Sequence, residues 1–221
     1  MTRVKICGLT SREDLRAAID AGADAVGLLV DVPVDSPREI DTQRAVELAD
    51  AVPPFVTTVL VTMPETPERA VELVEAVEPD AVQVHGDIGA GDLAYLTATV
   101  SAQVLKVVDA ADPEAARRYD DLADGLLVDS VDDDGAGGTG RTHDWERTAE
   151  VAATLDSPVI LAGGLTPGNV ADAVRAVEPF GVDVASGVEA ADPADVAGRK
   201  DPDAVAEFVA TAKRARTTPT P

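Results

Sequence analysis

Residues 158–170 read Pro158-Val159-Ile160-Leu161-Ala162-Gly163-Gly164-Leu165-Thr166-Pro167-Gly168-Asn169-Val170. The first five are a short apolar run of the kind that forms a strand covered on both faces. A glycine pair ends the run. Thr166-Pro167 then sets a side-chain acceptor before a proline at a first helical position, where its missing N–H has no partner anyway. Val170, Val174 and Val177 follow at helical spacing. The stretch is one strand–turn–helix unit, and outward from it the same unit recurs. Apolar, β-branched runs lie at 4–6, 25–30, 55–61, 81–84, 104–108, 125–128, 158–162 and 182–185. The segments between them are rich in Ala and acids and carry helix-start chemistry. Thr10 and Glu13 have capping-box spacing, and Thr66-Pro67, Asp112-Pro113 and Asp201-Pro202 repeat the cap-then-proline pattern. Helical apolar spacing recurs at Leu15, Ala18 and Ile19, at Val71, Val74 and Val77, and at Val205, Phe208 and Val209. A further helix at 89–99, with Leu93 and Leu96, carries the weakest signal.

Eight such units in 221 residues give about 27 residues each. An open doubly wound sheet would use roughly five to seven strands, so eight units favour closure into a (β/α)₈ TIM barrel. No Gly/Ser linker or composition shift divides the chain. The expectation is a single domain over residues 1–214, with 215–221 as a flexible tail.

Composition narrows the function classes. A hydrophobic fraction of 45% supports a core, which excludes a wholly disordered chain. The apolar runs fall well short of the ~20 residues needed to cross a bilayer, and the N-terminus has no apolar core of a secretion signal. The expected compartment is the cytoplasm. One cysteine forms neither an internal disulfide nor a multi-cysteine metal site. Lys+Arg 18 against Asp+Glu 41 gives a net charge of −23, which repels nucleic-acid backbones and anionic membranes. Ordinary solubility or adaptation to molar salt produces such a surface; the expectation is a halophilic protein, because molar salt screens its self-repulsion.

A parallel barrel gathers the carboxyl ends of its strands at one mouth. In this sequence those ends carry Cys7-Gly8, Ser36-Pro37-Arg38, Gln83-Val84-His85-Gly86, Asp129-Ser130, Gly163-Gly164 and Ser186-Gly187. Cys7 alone is usually a small buried core residue, or a thiolate stabilised by nearby backbone N–H groups. Asp129, ending the run Leu126-Leu127-Val128, is either a cap or salt-bridge residue or a general acid with a raised pKa. Gly163-Gly164, Ser186-Gly187 and the loop containing Gly138, Thr139 and Gly140 are either turns that merely reverse the chain or a phosphate site built from backbone amides. Arg38 offers a bidentate fork to a carboxylate or a surface salt bridge. His85 orients a ligand or bonds Gln83 or backbone. His143 and Trp145 are assigned to the helix start after the sixth strand. Two distant histidines without clustered ligand spacing argue against a metal site.

Lys5-Ile6-Cys7-Gly8-Leu9-Thr10, VQVHG at 82–86, GGTGRTHDW at 137–145, LAGGLTPGNV at 161–170 and GVDVASGVE at 181–189 together resemble the phosphoribosylanthranilate isomerase family of tryptophan biosynthesis. The matches come in the family's order and span nearly the whole chain. The resemblance implies a (β/α)₈ barrel without cofactor. It also implies an Amadori rearrangement of N-(5-phosphoribosyl)anthranilate to 1-(2-carboxyphenylamino)-1-deoxyribulose 5-phosphate. By resemblance Cys7 is the general base and Asp129 the general acid. Arg38 meets the anthranilate carboxylate, and Gly164, Gly187 and residues 138–140 meet the phosphate. The implied partner is a small phosphosugar, with no nucleic acid and no membrane, the chain being a monomer or homodimer. Two departures stand out: the stretch from Gly27 to Arg38 is about two residues longer than the family pattern, with Asp31 and Val32 where an aromatic is usual. An acidic insertion also follows Glu189. The rival readings are a histidine-pathway phosphoribosyl isomerase, which resembles the architecture but ends strand one in aspartate, and a non-catalytic phosphosugar-binding barrel.

Overall fold

A computed structural model describes residues 1–129, 144–190 and 196–215. Among the described residues eight strands alternate with eight helices: β1 (Arg3–Cys7), α1 (Arg12–Asp20), β2 (Ala25–Leu29), α2 (Thr42–Ala49), β3 (Thr57–Thr62), α3 (Pro67–Val77), β4 (Ala81–Val84), α4 (Ala90–Thr99), β5 (Gln103–Asp109), α5 (Pro113–Tyr119), β6 (Gly125–Asp129), α6 (Trp145–Ala152), β7 (Val159–Leu161), α7 (Val170–Val177), β8 (Gly181–Val184) and α8 (Pro202–Ala215). A 3₁₀ turn, Ser186–Val188, follows β8. Neighbouring strands are all parallel, and β8 returns to β1 to close the barrel.

Strand alternation builds two apolar regions from nearly continuous apolar runs. Outward residues such as Ile6, Leu28, Leu60, Val82, Val104, Leu126, Leu161 and Val182 pack beneath the helices in one core. Inward residues fill the barrel, with Cys7, Val59, Val61 and Ala81 in one cluster and Val107, Leu127 and Ala162 in another. This is why the runs are not amphipathic: both strand faces are covered, and each fully buried Val or Leu contributes about 1.5–3 kcal/mol. A polar device closes the strand starts. Asp24, Asp80 and Asp124 each precede an even-numbered strand and accept the amide of Val4, Thr58 or Val104 on the preceding odd-numbered strand, at 2.9, 2.7 and 2.7 Å. This recurrence of acids ahead of the apolar runs is a repeat that apolar periodicity does not register.

Several element starts differ from expectation. The third strand begins at Thr57 rather than Phe55, because Phe55 is fully exposed and has φ 74°, outside the strand region. The first helix is capped by Ser11, whose hydroxyl accepts from the Asp14 amide at 3.0 Å, and not by a Thr10–Glu13 box. Asp14 is buried because it also accepts from the Lys200 amide at 3.0 Å, and this tie fixes the helix start one residue later. The seventh helix begins at Val170, since Thr166-Pro167 instead opens a turn in which the Asn169 carboxamide accepts from the Thr166 amide at 2.8 Å. The cap–proline starts at Thr66, Asp112 and Asp201 hold, as does the helix containing Leu93 and Leu96. The eighth helix runs through Ala215; residues 216–221 lie outside the described residues. Among the described residues, no helix is long and apolar enough to cross a membrane.

Candidate active site

A cavity of about 90 Å³ opens at the carboxyl ends of the strands. Its lining includes Cys7 from the end of β1, Arg38 from the connection after β2, Gln83 and His85 at the end of β4, and Asp129 closing β6. Gly163 and Gly164 after β7, and Ser186 and Gly187 after β8, complete it. Eight residues singled out from sequence thus converge on one wall-to-wall site, although Cys7 and Gly187 stand 180 positions apart. Gly138, Thr139, Gly140 and His143 lie outside the described residues. Trp145 is the first residue of α6, as expected.

Cys7 and Asp129 are both buried. Burial pushes the Cys7 thiol up, and the nearby Lys5 and Lys200 ammoniums oppose that rise. Arg38 makes the salt bridge that its sequence context allowed: Nε and Nη2 donate to the two Glu189 oxygens at 2.6 and 3.2 Å. Glu189 in turn accepts from Lys200 Nζ at 3.0 Å. Burial raises the Glu189 carboxyl, but the Arg38 and Lys200 contacts outweigh it and hold the group below its usual range. The pair thereby holds the Arg38 fork at the cavity rim rather than leaving it to solvent.

His85 contacts the Gln83 carboxamide at 2.8 Å. Burial, aided by the Lys5 and Lys106 ammoniums, lowers His85 to about 3, so the ring is neutral near pH 7. The folded value lies below the unfolded 6.5, so His85's contribution to stability is complete above about pH 6.5 and is lost as pH falls toward 3. Acidification from about pH 7 to 4.5 therefore should cost the wild type on the order of 2 kcal/mol more than His85→Gln. Urea unfolding midpoints at the two pH values measure the difference, and parallel losses in both proteins would contradict it.

The glycine turns are shaped by their backbones. Gly163 and Gly164 take φ values of 85° and 62°, and Asn169 Nδ2 ties the turn by donating to the Gly164 carbonyl at 2.9 Å. Gly187 lies so close to β7's following loop that a Cβ would collide with the Leu165 carbonyl oxygen. Backbone cannot yield as a flexible side chain does, so Gly187→Ala is expected to displace both turns. The expected result is a loss of roughly 1–3 kcal/mol in stability and at least about a tenfold rise in KM. A variant with unchanged KM would show that the two turns do not bind substrate together.

Lys5, Gln83, Asp183, Glu189 and Lys200 were not marked as site residues by sequence. Gln83 and Asp183 line the cavity, while Lys5 and Lys200 are buried against it. The available signal was polarity inside runs that otherwise read as apolar core: Lys5 in VKI, Gln83 in AVQV and Asp183 in GVDV. Among the described residues no group of three or more His, Cys, Asp or Glu is arranged to hold a metal ion.

Fold and site together define a (β/α)₈-barrel protein of the enzyme kind, with its polar groups collected at the carboxyl mouth. A model of the N-(5′-phosphoribosyl)anthranilate isomerase family matches residues 4–211. The N-(5′-phosphoribosyl)anthranilate isomerase of Halorubrum lacusprofundi is 60% identical over 214 residues, covering 97% of this chain and 98% of that one. A crystal structure of monomers made from the dimeric isomerase of Thermotoga maritima superposes with TM-score 0.81 at 33% identity, covering 96% and 99% of the two chains. A structure of such an isomerase with reduced 1-(o-carboxyphenylamino)-1-deoxyribulose 5-phosphate gives TM-score 0.80 at 34% identity, again over 96% and 99%. The chain belongs to the N-(5′-phosphoribosyl)anthranilate isomerase family.

Proposed function

We infer that this chain isomerises N-(5-phosphoribosyl)anthranilate to 1-(2-carboxyphenylamino)-1-deoxyribulose 5-phosphate, a step of tryptophan biosynthesis, with Asp129 as general acid and Cys7 as general base. The observation that carries the reading is the meeting of a thiol, a carboxyl group, a guanidinium and two glycine turns in one cavity. Each matches one part of the substrate: two proton-transfer sites on the sugar, the anthranilate carboxylate and the phosphate. Asp129 protonates the furanose ring oxygen as the C1′–O bond breaks, and the nitrogen lone pair forms the C1′=N bond of a Schiff base. The Cys7 thiolate takes the C2′ proton, and the released electron pair forms C1′=C2′ and neutralises the nitrogen. The enolamine then gains a proton at C1′ and loses the 2′-hydroxyl proton, giving the ketone. Substrate and product are isomers, so no oxidant or cofactor is required.

Amides at Gly163, Gly164, Ser186 and Gly187, with the loop at 138–140, bind the phosphate without surface cations, which suits a chain so short of lysine. Arg38, positioned by Glu189, meets the anthranilate carboxylate. His85, held neutral, lines the ligand's path. The histidine-pathway alternative resembles the same architecture with an aspartate where β1 ends; Cys7 occupies that place here. The partner is a small phosphosugar in the cytoplasm, rather than nucleic acid or membrane. Monomer and homodimer are separated by light scattering in multimolar KCl. The decisive assay is the loss of phosphoribosylanthranilate fluorescence in high KCl, or rescue of a tryptophan-requiring strain lacking this isomerase. Failure of both would return the chain to the rival readings.

A further inference from the structure

Lys5 and Cys7 are two residues apart on β1, so both side chains enter the barrel. Directly across the ladder from Lys5 stands Asp183 on β8, whose two oxygens each accept from Lys5 Nζ at 3.0 Å. On the other flank β2 sets Gly27 opposite Cys7. A Cβ there would stand 2.7 Å from Cys7 Sγ and 3.2 Å from Lys5 Cε. The sulfur and the lysine stem therefore share the hollow left by the missing side chain. Lys5 and Asp183 are only 4% and 8% exposed, and desolvating such a pair offsets most of what its attraction contributes. Stability alone gives little reason to bury it.

Composition sharpens the point. The chain has four lysines, Lys5, Lys106, Lys200 and Lys213, and the first three are buried. A chain that has nearly dispensed with lysine on its surface keeps it inside. Lys106 is spent on backbone, donating to the Gly86 and Val107 carbonyls at 2.9 and 2.7 Å. Lys5 and Lys200 instead act on Cys7.

We propose that Lys5, clamped by Asp183 in the barrel interior, is the positioning residue for Cys7: its charge lies beside the sulfur and makes the thiolate accessible, while Asp183 limits how far. This rests on Cys7 being the base. Burial pushes the thiol up, Lys5 is the strongest opposing influence, Asp183 pushes it further up, and Lys200 lowers it again. Burial also pulls the Lys5 ammonium down, but Asp183 and Cys7 more than offset this and hold it charged. The other groups facing the pocket are Arg38 and Glu189, which neutralise each other, the neutral His85 of the β4 end, and Asp129 of β6.

Cys7 is the sole cysteine, so the rate of alkylation by iodoacetamide against pH, in high KCl and without substrate, reports its thiolate alone. Lys5→Met is expected to raise the midpoint by at least about one pH unit, slowing alkylation roughly tenfold below it. Asp183→Asn is expected to lower the midpoint by a similar amount and to speed alkylation. Opposite shifts separate a charge effect from loosened packing, which would expose the sulfur alike in both. Should Lys5→Met not fold, Lys200→Met takes its place, with a smaller upward shift expected. Unchanged midpoints, or shifts of the same sign in the lysine and aspartate variants, would overturn the proposal. The pH profile of kcat/KM tests the underlying reading separately. If its acidic limb moves with the alkylation midpoint, both stand; if alkylation shifts while the profile stays, Lys5 still governs Cys7 but Cys7 is not the base.

Discussion

Asp129→Asn is expected to lower kcat by at least about 10²-fold with KM little changed, the scale of a general acid's contribution. Asparagine keeps the shape of the side chain at the end of β6 and lines the same cavity, but it has no acidic proton to give the ring oxygen. Cys7→Ser is expected to fall at least as far, because a hydroxyl is a far weaker source of anion than a thiol in the same buried place. Since ring opening and C2′ deprotonation are successive steps, the double variant should not multiply the two losses. Circular dichroism and the urea midpoint establish that each variant is folded. Near-full activity in either would remove that residue from the mechanism; a KM rise with kcat intact would make it a binding group only.

Most of the fold was legible because a covered parallel strand announces itself. The runs at 25–30, 125–128 and 158–162 carry no charge on either face, and strand alternation accounts for them by sending one set under the helices and the other into the barrel. What misled was local chemistry overruled by distant contacts. Thr10 has cap spacing, yet Asp14 is drawn into a bond with the Lys200 amide, 186 positions away, and the cap moves to Ser11. Thr166-Pro167 looks like a helix start, yet Asn169 bends it into a turn that serves the cavity. At the site, Cys7, Asp129 and the glycine turns were legible as groups that a core does not want at strand ends. Lys5 and Asp183 were harder to read, because each is a single charge within an apolar run, and its meaning appears only when the ladder sets it opposite its partner. The glycines at 138–140 remain an expectation of resemblance.

Salt governs the other large effect. With 41 acids against 18 basic residues, and three of the four lysines in the interior, the surface keeps arginine as almost its only cation. Some of that arginine is occupied in short helical pairs such as Arg44–Glu47, Arg69–Glu72 and Arg117–Glu114, which contribute only ~0.2–0.5 kcal/mol each. These pairs do not offset a net charge of −23. At about 0.1 M salt the Debye length is ~10 Å, so neighbouring acids repel across the surface; at about 1 M it is ~3 Å and the repulsion is confined to near contacts. Transfer from multimolar KCl to about 0.1 M is therefore expected to remove most of the roughly 5–15 kcal/mol that stabilises a folded domain, read as a collapse of the urea midpoint. A neutral osmolyte separates screening from a general strengthening of burial, since sucrose favours the compact state but screens no charge. If sucrose restores the low-salt protein as well as KCl does, or if the midpoint is the same at both salt levels, the acidic surface is not an adaptation to salt.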